Sequence, residues 1–327
     1  DDVTVGNTGD IAATADNNAA GIYAYAAAHV AITNGGDIVA HAATGTAYGV
    51  FAYTDTSAVS LDNPASIEFG NGGSITANGT TAIGVEMRTG GAVTFGNNGN
   101  ILATGAGDAA GAIVNGAGVD FFNDGHITAA TLGDTAYAAG VFGVEVAFAN
   151  GGTIHASVGG ADGVAIGGLL SGQTTLSVQN SGDVGAVNDG DHGQAIGLVA
   201  MGGDGVSFDN SGHLLASASY GSAAGALVGA KYGDATITNS GTIASTTVGG
   251  DAMGLVVSSV GDITLVNTGT LQATNAGYAG ALAIHADGMA TVSNSGTIRA
   301  VSNIENSMAI VGDDGIEQIT NSGQVIG

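Results

Sequence analysis

Ala235-Thr-Ile-Thr-Asn239-Ser-Gly-Thr-Ile-Ala-Ser245 is one copy of a frame, apolar-x-apolar-x-Asn-x-Gly-x-apolar, that recurs twelve times along this chain. The copies are centred on Asn7, Asn34, Asn71, Asn97, Asn123, Asn150, Asn180, Asn210, Asn239, Asn267, Asn294 and Asn321. Successive spacings are 27, 37, 26, 26, 27, 30, 30, 29, 28, 27 and 27 residues. A period of this size marks a solenoid, in which each repeat is a coil stacked on the next.

Alternate residues of a strand share a face, so positions −4, −2, 0, +2, +4 and +6 about the Asn point the same way. Position −2 is apolar in every copy, from Val5 to Ile319, and position +4 is always Ile, Leu or Val. Position +6 is Ala in ten copies, with Ser245 and Gly327 as the exceptions. That face is therefore interior. The Asn then lies inside an apolar row, where a buried amide is costly unless its donors and acceptors are paired. Stacking coils supplies the partners, each amide bonding its equivalents above and below. The Gly two residues later suits a corner that needs positive φ or close backbone approach.

A second segment follows each corner, where Gly precedes aliphatics: Gly21-Ile22, Gly49-Val50, Gly84-Val85, Gly140-Val141, Gly163-Val164, Gly197-Leu198 and Gly254-Leu255. A third enters the next Asn. The expected fold is all-β, a right-handed parallel β-helix of about 11–12 coils of ~28 residues, with three short strands per coil. The loops of variable length between corner and Gly segment are expected on one side of the rod. One solenoid domain spans 1–327, with an irregular coil or insertion near 55–70. Within it, Val59-Ser-Leu-Asp-Asn63-Pro-Ala-Ser-Ile67 also fits the frame, so either Asn63 or Asn71 holds the rung. Asn71 is favoured because Phe69 continues the row Phe95, Phe121, Phe148.

Twenty-eight acidic residues face only Arg88, Lys231 and Arg299, a net charge of −25. Eleven coils at about 4.8 Å make a rod on the order of 53 Å long. Its charge density is about one per 2 Å, close to that of duplex DNA, which excludes nucleic acid and anionic lipid as partners. Cysteine is absent, a usage suited to export across a bacterial envelope. No apolar run of membrane-spanning length and no signal peptide is present.

Catalytic motifs are scarce. Lyases acting on uronates need basic residues that three scattered cations do not supply. Inverting glycosidases need two carboxylates about 6.5–9.5 Å apart, and same-phase acids on neighbouring coils could supply them. Asp183, Asp204, Asp209 and Asp234 are the nominal candidates, against the plainer reading as solvated acids on turns. His126 and His213 share an outward position three coils apart, too far to share a metal, and no zinc motif occurs. The sequence calls for no cofactor. Its calcium candidates are Asp204, in Gly202-Gly-Asp-Gly205, and Asp313 and Asp314, in Gly312-Asp-Asp-Gly315, without the tandem nonapeptide of calcium-binding β-rolls.

The Asn239-Ser-Gly-Thr-Ile and Asn294-Ser-Gly-Thr-Ile corners, with variants Asn34-Gly-Gly-Asp-Ile and Asn267-Thr-Gly-Thr-Leu, resemble those of Gram-negative autotransporter passenger domains and haemagglutinin-like adhesins. The resemblance is one of repeat style over the whole chain and carries over no functional residue. It implies a secreted, non-catalytic protein of the bacterial cell surface that mediates adhesion, aggregation or biofilm formation. Its partners would be a surface protein, a glycan or itself. A self-assembling subunit stacking end to end is the alternative, since Val3–Asn7 and Ile319–Asn321 stand in the same phase. A polysaccharide-active enzyme is the third.

Overall fold

The computed structural model describes residues 2–55, 65–304, 306–312 and 316–327. All secondary structure among them is β-strand, and every strand pairing is parallel. Each coil contributes three strands, as in Gly205–Asn210, His213–Ala218 and Ala223–Ala230. Strands of equal phase pair coil to coil, building three parallel sheets along the rod. Sheet 1 carries the residues entering each Asn, sheet 2 the residues after it, and sheet 3 the Gly-aliphatic segments. In several coils two strands run together without a break, as in Ser74–Arg88, Asn100–Asn115, Thr135–Asn150 and Val164–Asn180.

The Asn frame forms the ladder that its inward phase requires. Each Asn Nδ2 donates to Oδ1 of the next, through eleven bonds of 2.7–2.8 Å from Asn7 to Asn321. In nearly every rung Nδ2 also donates to the carbonyl of the Gly two residues on, as from Asn180 to Gly182 at 3.1 Å. The backbone carbonyl of each rung Asn from Asn34 to Asn294 accepts from two amides of the next coil, Asn180 from Ser211 and Gly212 at 2.8 and 3.1 Å. The corner thus closes its own hydrogen-bond account. Asn34 pairs with Asn71 at 2.8 Å, which makes Asn71 the rung, and the rival Asn63 lies outside the described residues.

The corner glycines are needed for close approach. No described residue has positive φ. A Cβ on Gly212 would lie 2.0 Å from the carbonyl oxygen of Gly182, and one on Gly36 would lie 2.0 Å from that of Gly9. Any side chain here would force the coils apart.

The core is a thin stack of like on like. Ile38, Ile75, Ile101, Ile127 and Ile154 form one fully buried column. Phe69, Phe95, Phe121 and Phe148 form another, with ring centroids 5.2, 4.4 and 5.1 Å apart and interplanar angles of 22° or less. A second set of buried polar side chains plugs the turn from sheet 2 to sheet 3. Thr131 donates to the Gly107 carbonyl, Asn188 to that of Gly163 and Thr247 to that of Gly221, at 2.6–2.7 Å. That turn also absorbs most of the variation in coil length: none protrudes at Gly105, whereas five residues, 159–163, separate strands in a 30-residue coil. The 37-residue interval differs, its extra length falling between sheet 3 and sheet 1, before Ser66.

Sheet 3 is pinched. In Thr46–Thr54 the inward residues are Ala47, Gly49, Val50, Ala52 and Thr54, so two successive positions, 49 and 50, face the core. A Cβ on Gly49 would lie 2.3 Å from Cγ2 of Ile75. The same column holds Gly21, Gly84 and Gly111, then Ala138, Gly167, Gly197, Gly225, Gly254 and Ala281. Gly140 and Gly163, which the sequence pattern placed with this series, fall elsewhere: Gly140 pairs with Ile113 two positions beyond the column, and Gly163 precedes its strand. Outside the pinch several outward side chains, Ile83, Ile166 and Val199 among them, are buried.

Candidate functional site

The pinch organises the most distinctive outer surface of the molecule. Five of the sixteen aromatic side chains, Tyr23, Tyr25, Tyr48, Phe51 and Tyr53, stand outward on two adjacent coils of sheet 3. Tyr23 pairs in register with Phe51, and Tyr25 with Tyr53. Their rings stack at 5.3 and 5.6 Å, each pair inclined by 15°. Tyr48, on the other flank of the pinch, meets Phe51 edge-on at 5.3 Å. Tyr23 and Tyr25 remain 69% and 49% exposed. Rings stacked along the axis turn their edges to solvent, so the surface is two parallel strips of ring edges, Tyr23–Phe51 and Tyr25–Tyr53, in which Tyr23, Tyr25 and Tyr53 carry phenol hydroxyls.

The next coil ends both strips in charge. Phe51 pairs with Glu86 and Tyr53 with Arg88. Glu86 follows the outward parity, yet only 1% of it is exposed, because it sits in the closed outer seam. Its Oε1 faces the Arg88 guanidinium as an ion pair. A buried carboxylate requires such a counter-charge. Arg88 itself is largely exposed. Burial raises the Tyr48 phenol above its usual pKa, the neighbouring Glu86 carboxylate raises it further, and Arg88 partly offsets both. Tyr48 therefore stays a neutral donor and acceptor at neutral pH.

The sequence contained a signal for this site: Tyr23-Ala-Tyr25 and Phe51-Ala-Tyr53 stand 28 residues apart, one coil, at outward parity. The burial of Glu86 had none, since alternation alone places it in water.

The residues singled out from sequence fare differently. The twelve Asn residues are structural. Asp183, Asp204, Asp209 and Asp234 do not form same-phase pairs: counted from the nearest rung they occupy positions +3, −6, −1 and −5, four separate columns. The reason is register, since coils stack without slippage and acids from different positions cannot align. Asp234 Oδ1 instead accepts from the Asp262 amide, and Asp262 Oδ1 from that of Met289, both at 2.8 Å, so these acids order turns. Asp313 and Asp314 lie outside the described residues. Among the described residues no three His, Asp or Glu side chains gather as metal ligands. His126 and His213 stand in one column three coils apart, with Thr153 and Asp183 between them.

No family model, curated protein or solved structure matches the chain.

Proposed function

We propose that the protein is a non-catalytic adhesive rod of the bacterial cell surface, and that it contacts saccharide chains through the aromatic strips of sheet 3. The observation that carries this reading is the concentration of stacked, outward aromatic rings on two coils, ending in the Glu86–Arg88 pair. The rest of the outer surface is mostly Thr, Ser, Ala, Gly and Asp. Tyr provides broad amphipathic contact area at low conformational cost. A saccharide presents an apolar C–H face and a hydroxyl rim. The ring surfaces of Tyr23 and Phe51 match the face, and the phenols of Tyr23, Tyr25 and Tyr53 with Arg88 match the rim. The rigid parallel scaffold holds the strips without ordering cost. The repeat-style resemblance to secreted adhesins supports the location.

The test is binding of the purified chain to a panel of neutral and acidic bacterial and host glycans. A hit should weaken at least about tenfold in a Tyr25→Ala/Tyr53→Ala variant whose melting curve keeps the wild-type shape, in line with the weight of aromatic contacts at binding hot spots. Absence of any glycan hit, or equal binding by the variant, would reject the assignment. Cleavage of any panel member would reject its non-catalytic part.

A further inference from the structure

The column that carries Tyr25 and Tyr53 runs on past the Glu86–Arg88 pair. Arg88 pairs in register with Asn115, and Asn115 with Phe142. Tyr25, Tyr53, Arg88, Asn115 and Phe142 therefore stand in one line on the outside of sheet 3, one residue per coil. Four steps from coil to coil make that line about 19 Å long. Arg88 and Asn115 are exposed, and Phe142 is half-buried.

Phe142 is held differently from the stacked tyrosines. Its neighbours along the column are Asn115 and Ser171, so no ring stands against it there. In the adjoining outward column Gly140 stands between Ile113 and Leu169. A Cβ on Gly140 would lie 3.1 Å from Cε2 and 3.5 Å from Cζ of Phe142. The Phe142 ring thus folds back into the space that the missing side chain leaves, and lies across the strand with one side covered. The line consequently has ring surface at both ends and polar groups between them. Arg88 brings five N–H donors, more than the pair with Glu86 uses, and Asn115 brings an amide that both donates and accepts.

Building on the saccharide reading of the aromatic strips, we infer that the occupant is an uncharged linear polysaccharide lying parallel to the rod axis, from Tyr25 to Phe142. The rings at the two ends meet C–H faces of the chain, and Arg88 and Asn115 take hydroxyls midway. A chain crossing the rod, or a single terminal sugar, would touch the Tyr25–Tyr53 stack and miss Phe142, which stands three coil steps from Tyr53, about 14 Å. Length therefore selects an extended chain. Charge then selects among chains. The one cation on the line is already paired with Glu86, and a net charge of −25 on the rod repels a polyanion. Once the first sugar is seated, each further coil contacted adds affinity without a new loss of translational freedom.

The experiment is calorimetric titration of the full chain with a disaccharide, a tetrasaccharide and a hexasaccharide of the neutral glycan that binds best in the panel. Affinity should rise at least about tenfold from disaccharide to hexasaccharide. Phe142→Ala, whose melting curve should keep the wild-type shape, should weaken the hexasaccharide about tenfold and leave the disaccharide unchanged. Asn115→Ala should act in the same direction by a smaller factor. A polyuronate hexasaccharide should bind more weakly than the neutral one, with the gap narrowing as salt is added. Affinity independent of length, or a hexasaccharide affinity unchanged in Phe142→Ala, would overturn the axial chain while Tyr25→Ala/Tyr53→Ala sensitivity kept the saccharide reading standing. Tighter binding of the polyuronate, or a panel in which only acidic glycans bind, would overturn the uncharged class. A panel with no hit at all would remove the saccharide reading and this inference with it.

Discussion

At the scale of the residue, the fold rests on an amide that can be both donor and acceptor in one line. Asn180 accepts at Oδ1 from Asn150 and donates through Nδ2 to Asn210, both at 2.8 Å, and to the Gly182 carbonyl. Asn180→Ala would strand a donor on Asn150 and an acceptor on Asn210, both in a water-free interior. Two buried unsatisfied groups cost about 2–6 kcal/mol together. Asn180→Asp keeps the shape and fails differently, because Oδ2 cannot donate to Asn210 and a charge is buried without a counter-ion. Chemical denaturation should show both variants less stable than wild type, with Asn180→Asp the worse above the titration range of a carboxylate. Equal stability of wild type and Asn180→Ala would mean that water fills the rung. This role was legible from sequence because one inward Asn recurs in every coil. The plugs at Thr131, Asn188 and Thr247 were not: that position is Ala, Gly, Val, Thr, Ser or Asn in different coils, so no repeat announces it.

At the scale of the element, parallel in-register stacking turns a conserved phase into a column, and the column has energetics of its own. Phe121 has a stacked ring on each side, at 4.4 and 5.1 Å. Phe208, in the same phase three coils on, pairs in register with Val178 and Ile237. Both are buried to the same degree, so the transfer contribution lost on Phe→Leu is equal. The difference is two aromatic contacts, each worth about 0.5–1.5 kcal/mol beyond area. Phe121→Leu should therefore destabilise by about 1–3 kcal/mol more than Phe208→Leu in urea unfolding. A smaller cost at Phe121 would show that aliphatic packing is worth as much as ring stacking in this core. The three-strand coil could be read ahead of the structure because apolar alternation and Asn-x-Gly corners repeat with it. The pinch of sheet 3 could not. Gly49 breaks the parity, and only its 2.3 Å approach to Ile75 reveals that positions 49 and 50 both face inward. The burial of Glu86 and the meeting of Tyr48 with Phe51 both depend on that break.

At the scale of the whole molecule, charge and architecture oppose each other. A solenoid gains stability coil by coil from neighbour contacts, while every coil also adds at least one acid to a rod that rises only about 4.8 Å per coil. With 28 acidic residues against three basic ones, repulsion sums along the rod and disfavours the compact state. The described ion pairs that relieve it are few: Glu86–Arg88, and Asp183–His213 when that imidazole is protonated. Screening length falls from about 30 Å at 0.01 M salt to about 3 Å at 1 M, which spans the distances between acids on neighbouring coils. Sodium chloride should therefore raise the melting temperature steadily at pH 7. The slope against salt should shrink when outward acids such as Asp120 and Asp209 are replaced by Asn, which leaves the core untouched. Chloride is chosen over sulfate because sulfate strengthens apolar burial by itself and would mask the electrostatic part. A melting temperature indifferent to chloride, with the same slope in the Asn variants, would mean that the surface acids hold condensed counter-ions even at low salt. The rod would then behave as a polyelectrolyte whose charge is already neutralised at its surface, as duplex DNA does.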